Sequence, residues 1–494
     1  MRILIINPPT ENTVIENPDE QGEEFLEADS FGDFPPLGAL YVLSYLEANT
    51  SGHELFFKDC VAERMKYPAL RSYIEEVRPD IVGITSFTVC LMDVVLTARL
   101  VREVMPGAHL CLGGHHPIAY PKEAAELPEF DSVVVGEGEE VFTQLVNCLE
   151  KGEDFTHIRG VYTAESIKRH LDNPIHDKRF LARVTVPAAY VEDIDSLPMV
   201  NRKYIRHNRY YNIIGSTDDL ATILSSRGCP YRCTFCDVPI KSYRERSAAS
   251  VCDEVEACLE MGYKEFRFYD DLFNINEKKV LAFCDELERR GLKITWDFRG
   301  RVNTVSKESL IRAKKAGLRM ISFGVETGTD EGLRALKKGT TTKKIRDAFA
   351  WCRELGILTV ADYIIGQPFE TTPDDVRRNI NFLINLDPDY AQVSVLKLYP
   401  NTEMYDNAVK AGVIEPGRWQ EYAKQPRKDF VVDHWNQYMD LVTLVRLQKW
   451  AYRRFYFRPR YILRSVIQTG SLHQFMSKAR GAIKLVKTNM RMAG

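Results

Sequence analysis

Ser225-Ser226-Arg227-Gly228-Cys229-Pro230-Tyr231-Arg232-Cys233-Thr234-Phe235-Cys236 sets three cysteines in one short run, with spacers of three and two residues. Three thiolates can hold three irons of a cubane cluster and leave the fourth iron open, whereas a structural zinc site needs a fourth ligand. No second Cys or His pair follows at finger spacing, so zinc and redox Cys-x-x-Cys readings fall behind a 4Fe-4S cluster on Cys229, Cys233 and Cys236.

The flanks supply the scaffold for that loop. From Leu220, strand-like runs near Thr222–Leu224, Glu265–Tyr269, Ile294–Phe298, Met320–Phe323, Thr359–Ile365 and Ala391–Leu396 are each followed by a helix-period segment. Six such units are too few for a closed eight-unit barrel, and a partial barrel fits the count. Upstream, Ile3–Ile6, Glu54–Phe57, Ile81–Thr85, His109–Leu112 and Ser132–Val135 alternate with amphipathic segments such as Pro68–Val77 and Met92–Val104. That pattern predicts a doubly wound parallel sheet, a Rossmann-like domain whose ligands lie beyond the carboxyl ends of its strands. The expected organisation is therefore α/β. Residues 1–150 form the first domain, 151–215 a linker, 216–405 the partial (β/α)6 TIM-type barrel and 406–494 a helical, basic C-terminal region.

A chain of 494 residues is too long for one core, and a net charge of -3 gives no sign of a nucleic-acid partner. The eight cysteines outside the triplet sit in apolar runs and read as small buried hydrophobes in a reducing cytoplasm. The N-terminal apolar run breaks at Pro8-Pro9, too early for a signal peptide, and no uninterrupted apolar stretch is long enough for a membrane span. Beyond Asp440 there is no Asp or Glu and there are twelve Lys or Arg, interleaved with aromatics from Trp450 to Tyr461. Two readings stand: a solvated helical cap over the barrel, or an interfacial helix giving peripheral contact at the inner membrane face.

The Cys-x3-Cys-x2-Cys loop after the first barrel strand resembles that of the radical S-adenosylmethionine (SAM) enzymes. The resemblance implies that SAM chelates the open iron and is cleaved reductively to a 5'-deoxyadenosyl radical, with an electron donor of flavodoxin or ferredoxin type. It implies SAM contacts at Phe235 in the loop and at successive strand ends. Tyr269 with Asp270 or Asp271 would face the SAM amine, and the usual Gly-Gly-Glu is absent there. Arg299 and Arg301 would face the carboxylate, Glu326 the ribose, and Ile365 and Gly366 the adenine. Adjacent charged residues at the carboxyl ends of barrel strands are what an active face carries.

The first domain resembles the cobalamin-binding domain found upstream of one radical SAM subfamily, through Asn7-Pro8-Pro9, Phe34-Pro35-Pro36-Leu37-Gly38, Gly113-Gly114-His115-His116-Pro117 and Gly136-Glu137-Gly138-Glu139-Glu140. Implied corrin contacts are Pro8, Thr85, Ser86, Gly113, Gly114, His115, Gly136, Glu137, Gly138 and Glu139. The Asp-x-His-x-x-Gly run that supplies an axial histidine elsewhere is replaced by Asn7-Pro8-Pro9, so the cobalt is expected to lack a protein histidine. His115 and His116 are alternative ligands to a peripheral or solvent contact. The implied reaction is C-methylation of an unactivated carbon of a lipid, isoprenoid or tetrapyrrole. Alternatives are an oxidative or ring-forming cyclase of the anaerobic magnesium-protoporphyrin ester type, and a non-catalytic cobalamin or redox sensor.

Overall fold

Ile3, Leu4, Ile5 and Ile6 are all buried, as a parallel strand covered on both faces requires. In the computed structural model, which describes residues 1–16, 32–181, 184–205, 210–212, 214–215, 217 and 219–467, this run is β1 (Arg2–Asn7). It pairs in parallel with β2 (Glu54–Asp59) and β3 (Ile81–Ser86), and β4 (His109–Gly114) and β5 (Ser132–Val134) extend the sheet. The antiparallel β6 (Val161–Tyr162) finishes its edge. The order β2-β1-β3-β4-β5-β6 changes direction between β1 and β3, which puts the ligand crevice beyond Asn7 and Ser86. Helices Leu37–Asn49 and Glu139–Lys151 pack together on one face, and Tyr67–Val77 and Leu91–Val104 on the other.

The stretch expected as a linker contributes heavily to this domain. Besides β6, Val184, Val186 and Ala188 are buried in one face of its core and Val191, Ile194, Leu197 and Val200 in the other.

The second sheet runs β7 (Leu220–Ile223), β8 (Glu265–Phe268), β9 (Thr295–Gly300), β10 (Leu318–Glu326), β11 (Leu358–Ile365) and β12 (Tyr390–Val395), each parallel to the next in chain order. With a helix between each pair, this is the partial (β/α)6 barrel. Alternation decides its two surfaces. Phe266, Phe268, Trp296, Phe298, Ile321, Phe323, Tyr363 and Val393 share a core with the surrounding helices, while Met320 and Val360 meet Ile214 in a separate apolar floor.

The C-terminal region has two tasks. Met404, Tyr405, Trp419, Tyr422 and Phe430 pack into the core of the first domain, and Gln420 Nε2 donates to Glu123 there at 2.6 Å. Helix Leu441–Tyr456 instead covers the barrel edge at β12 with Leu444, Leu447, Ala451, Tyr452 and Phe455. The hydroxyls of Tyr452 and Tyr456 donate to the carbonyls of Val393 (3.1 Å) and Ala391 (2.9 Å), and Arg464 pairs with Asp387 at 2.8 Å. The aromatic run, for which a cap over the barrel and an interfacial helix both stood, is largely spent on the barrel. Among the described residues no helix is long and apolar enough to cross a membrane. Residues 468–494, with five of the twelve tail cations, lie outside the described residues.

Phe455 is fully buried and Phe457 is 49% exposed. Phe455→Ala should destabilise the barrel by about 3–5 kcal/mol, and Phe457→Ala should stay within about 0.5 kcal/mol, read from urea unfolding midpoints of the two variants.

Candidate functional site

The cysteine loop leaves the barrel after β7 and is closed at its base by an antiparallel pair, Ser226–Arg227 with Arg244–Glu245. Gly228 has φ 80°, and a Cβ there would meet the Ser242 carbonyl oxygen at 2.4 Å, so the turn into Cys229 demands glycine. Cys229 N donates to Ile240 O (3.0 Å), Cys236 N to Cys233 O (3.1 Å) and Thr234 N to Leu336 O (3.2 Å), while Met404 N donates to Thr234 O (2.8 Å). The loop is thus tied to the barrel and to the C-terminal region.

Cys229, Cys233 and Cys236 are partly exposed, as is Cys90, and the remaining seven cysteines are buried. Among the described residues no three His, Cys, Asp or Glu converge to hold a single ion. Three thiolates that each serve a separate iron need no such convergence. Arg301 Nη1 donates to Cys233 Sγ at 3.3 Å, with its guanidinium 3.8 Å from the Tyr231 ring centroid. Burial pushes the Cys236 thiol up to about 12, so its deprotonation relies on bound metal.

Asp270 and Asp271, adjacent in sequence, have different employment. Asp270 is buried and accepts from Ser225 N (2.7 Å), Ser226 Oγ (2.7 Å), Ser225 Oγ and Lys279 Nζ (3.3 Å), which fastens the base of the loop. Asp271 accepts from Gly228 N at 3.0 Å and remains open to solvent. Protein crowding around it raises its carboxyl, against the pull of the Gly228 amide and of His115 in the first domain.

At the end of β10 the register breaks between Gly324 and Glu326, and Glu326 takes φ 65°. This bulge buries the carboxylate against Lys338 Nζ at 3.0 Å, and burial raises its carboxyl. Lys338 carries no sequence signal, because its partner is set by the bulge. Arg301 Nη2, Asp362 Oδ1 and both amide atoms of Gln367 are buried with no partner among the described residues. Orphaned donors and acceptors at this end of the barrel fit a polar cosubstrate. Phe235 has the Lys338 ammonium 5.8 Å from its ring centroid. The Ile365 side chain lies in the outer core and its carbonyl accepts from Leu396 N at 2.8 Å, and Gly366 is backed by Leu444. Arg299 is exposed, and Tyr269, 47% exposed, lies 5.4 Å from Phe34 of the first domain.

In the first domain, Pro8 is buried at the end of β1 and Thr85 half-buried at the end of β3. Ser86 Oγ donates to Gly113 O at 2.7 Å. No described atom lies within 4 Å of where a Gly113 Cβ would stand, and Gly114, at φ 95°, backs onto Ser86. His115 is exposed and stacks on exposed Phe87 with centroids 4.8 Å apart, an open aromatic ledge that suits a large flat ligand. His116 is fully buried at 3.1 Å from Thr88 Oγ1, and burial lowers it to about 3, so it stays neutral and out of a ligand's reach.

The Gly136-Glu137-Gly138-Glu139 stretch behaves differently from the expectation. A Cβ on Gly136 would meet Ala189 O at 2.2 Å and one on Gly138 would meet Val42 at 3.1 Å, so both glycines serve packing inside the domain. Glu137 and Glu139 pair with Arg227 of the cysteine loop at 3.0 and 2.6 Å. Burial opposes the charge on Glu137, but Arg244 and Arg227 outweigh it and hold the carboxyl below the usual range.

Comparison with known proteins agrees with this geometry. The radical SAM superfamily profile matches residues 223–383 and the B12 binding domain profile residues 25–146. An uncharacterized methyltransferase of Pyrococcus horikoshii is 27% identical over 98% of each chain. An anaerobic magnesium-protoporphyrin IX monomethyl ester cyclase of Rubrivivax gelatinosus is 28% identical over 82% of this chain and 69% of its own. Among solved structures, the radical SAM methyltransferase TsrM of Kitasatospora setae superposes with a TM-score of 0.69 at 20% identity, covering 99% of each chain. A cobalamin-type Rossmann sheet joined to a partial barrel with an open-iron cysteine loop defines a two-cofactor radical enzyme. The chain belongs to the cobalamin-binding radical SAM enzymes, whose cofactors are a 4Fe-4S cluster, SAM and cobalamin.

The two carboxylates should separate on substitution. Asp270→Asn breaks a buried pair and should cost about 3–5 kcal/mol of stability. Asp271→Asn should leave the melting temperature near that of the parent and weaken SAM binding about tenfold or more, the loss of one charge-assisted hydrogen bond. Calorimetry and SAM titration of both variants check this. A second expectation concerns cobalt: the electron paramagnetic resonance spectrum of the cob(II)alamin form should show no nitrogen superhyperfine splitting from a lower ligand, and His115→Ala should leave it unchanged.

Proposed function

We propose that the protein is a C-methyltransferase that places a methyl group on an unactivated carbon of a hydrophobic or acidic small molecule, of the lipid, isoprenoid or tetrapyrrole kind. The observation that carries this reading is the meeting of the two active edges: Arg227, two residues before Cys229, is hydrogen-bonded to Glu137 and Glu139, which follow the carboxyl end of β5 in the first domain. A chain built to bring a cobalamin edge and a radical-generating edge to one cleft suits transfer between them. The end-to-end correspondence with a relative named as a methyltransferase supports methyl transfer over cyclisation.

When bound, the three cofactors supply radical generation and a transferable methyl group. The chain holds and orients. Cys229, Cys233 and Cys236 hold the cluster, Asp271 and Arg301 take the amine and carboxylate of SAM, and the Glu326–Lys338 pair takes the ribose side. Phe34 with Tyr269, and Phe87 with His115, are walls against which a substrate is fixed between the cofactors. The reducing electron comes from a flavodoxin- or ferredoxin-type donor. A second reading, oxidative cyclisation, is favoured by the resemblance to the Rubrivivax cyclase over 82% of this chain.

The products decide between them. Reduced, reconstituted enzyme turning over candidate lipids or tetrapyrroles should release S-adenosylhomocysteine and 5'-deoxyadenosine together, and the Cys229→Ala/Cys233→Ala/Cys236→Ala variant should release no 5'-deoxyadenosine. Turnover that yields 5'-deoxyadenosine without S-adenosylhomocysteine would replace methyl transfer by the cyclase reading.

A further inference from the structure

Both stems of the cysteine loop end on one carboxylate of the other domain. Arg227 Nη1 donates to Glu137 Oε1 at 3.0 Å, Arg244 Nη2 donates to the same oxygen at 3.0 Å, and Arg244 Nη1 donates to Oε2 at 2.7 Å. Val191 N donates to Oε2 at 2.7 Å, and Arg227 Nη2 donates to Glu139 Oε1 at 2.6 Å. Arg244 also donates to the Val191 carbonyl. The side chains of Arg227, Arg244, Glu137 and Glu139 are 13, 9, 6 and 3% exposed, so water screens none of these contacts. Each guanidinium lies over a tyrosine, Arg227 over Tyr41 at 5.1 Å and Arg244 over Tyr190 at 3.8 Å.

Two positive and two negative charges cancel, but an apolar patch of the same volume would join the domains at least as strongly. A buried ion pair is weak evidence for stability, and its best attested use is to fix register. The surroundings favour that use. Glu137 sits between Gly136 and Gly138, which are seated against Ala189 and Val42, so its own backbone is immobilised on the first domain. Arg227 is separated from the first cluster ligand only by Gly228, which is packed on the Ser242 carbonyl and donates to Asp271 at 3.0 Å, while Cys229 N donates to Ile240 O at 3.0 Å, so the stem and the first ligand are held as one unit. The forked geometry of arginine on carboxylate fixes orientation as well as distance.

We propose that Glu137, gripping Arg227 and Arg244 with support from Glu139, is a positioning residue that sets the place of the cluster loop relative to the cobalamin domain, and with it the separation of the two cofactors. The inference rests on the two-cofactor assignment and is independent of which reaction follows.

Two measurements that need no substrate test it. In protein reconstituted with both cofactors, the reduced cluster shortens the spin relaxation time of cob(II)alamin according to their separation. Glu137→Gln should lower the melting temperature, as breaking a buried pair does, and in the protein that remains folded and loaded, with iron and cobalamin contents near the parent's, should broaden or shift that relaxation; Arg244→Lys, which keeps the charge and loses the fork, should fall between. In cofactor-free protein, amide exchange across residues 226–245 should accelerate about tenfold or more in Glu137→Gln and by a smaller factor in Glu139→Gln. Glu139→Gln, which disturbs one contact, carries both readouts if Glu137→Gln does not fold. Relaxation and exchange unchanged from the parent in the folded variants would overturn the proposal, whatever products the enzyme makes.

Discussion

Charges withdrawn from water at a domain boundary are the constraint on which the rest of this structure depends. Glu137 receives four hydrogen bonds, from two arginines and a backbone amide, in a place where leaving any of them unmade would be costly. The same economy recurs nearby: Glu254 lies between Arg202 and Arg246 at 3.0 and 2.5 Å, and Arg246 reaches Tyr41 of the first domain. Polar contacts of this kind tolerate one arrangement, whereas an apolar interface would tolerate small slides. An enzyme that must carry a reactive species from one cofactor toward another has reason to prefer the first.

Around the cysteine loop, polar groups divide into those that are satisfied and those that wait. Asp270 with Ser225, Ser226 and Lys279 is a closed network that supports the loop. Asp271, Arg301, Asp362 and Gln367 each retain an open or orphaned atom at the carboxyl ends of the barrel strands. Unpaired buried groups occur elsewhere in the chain as well, but these lie at the same strand ends as the cysteine loop, where a polar ligand can complete them. The strained Glu326 belongs to the same face, held by a bulge and by Lys338.

The C-terminal region joins the two domains from behind. Its first part, around Trp419 and Phe430, extends the core of the cobalamin domain, and its helix Leu441–Tyr456 covers the last barrel strand. Tyrosine hydroxyls on β12 carbonyls spare that strand an exposed edge. A composition that resembles a membrane-surface helix thus serves a sheet edge, because amphipathic aromatic and cationic segments meet both needs with the same chemistry.

The sequence by itself determined what depends on local spacing. Cysteines with spacers of three and two residues, and short apolar runs with helical segments between them, were legible without coordinates, and with the family resemblance they carry the fold class and the cofactor set. Tertiary structure decided what depends on partners far along the chain. That Glu137 and Glu139 bond Arg227 rather than face an open crevice, that Asp270 is buried in the base of the loop while Asp271 stays exposed, and that Val184–Val200 belongs to the first core are matters of contacts between residues about 45 to 110 positions apart. An apolar or charged pattern tells that a face is buried or paired, and the physics of burial is indifferent to which neighbour supplies the cover.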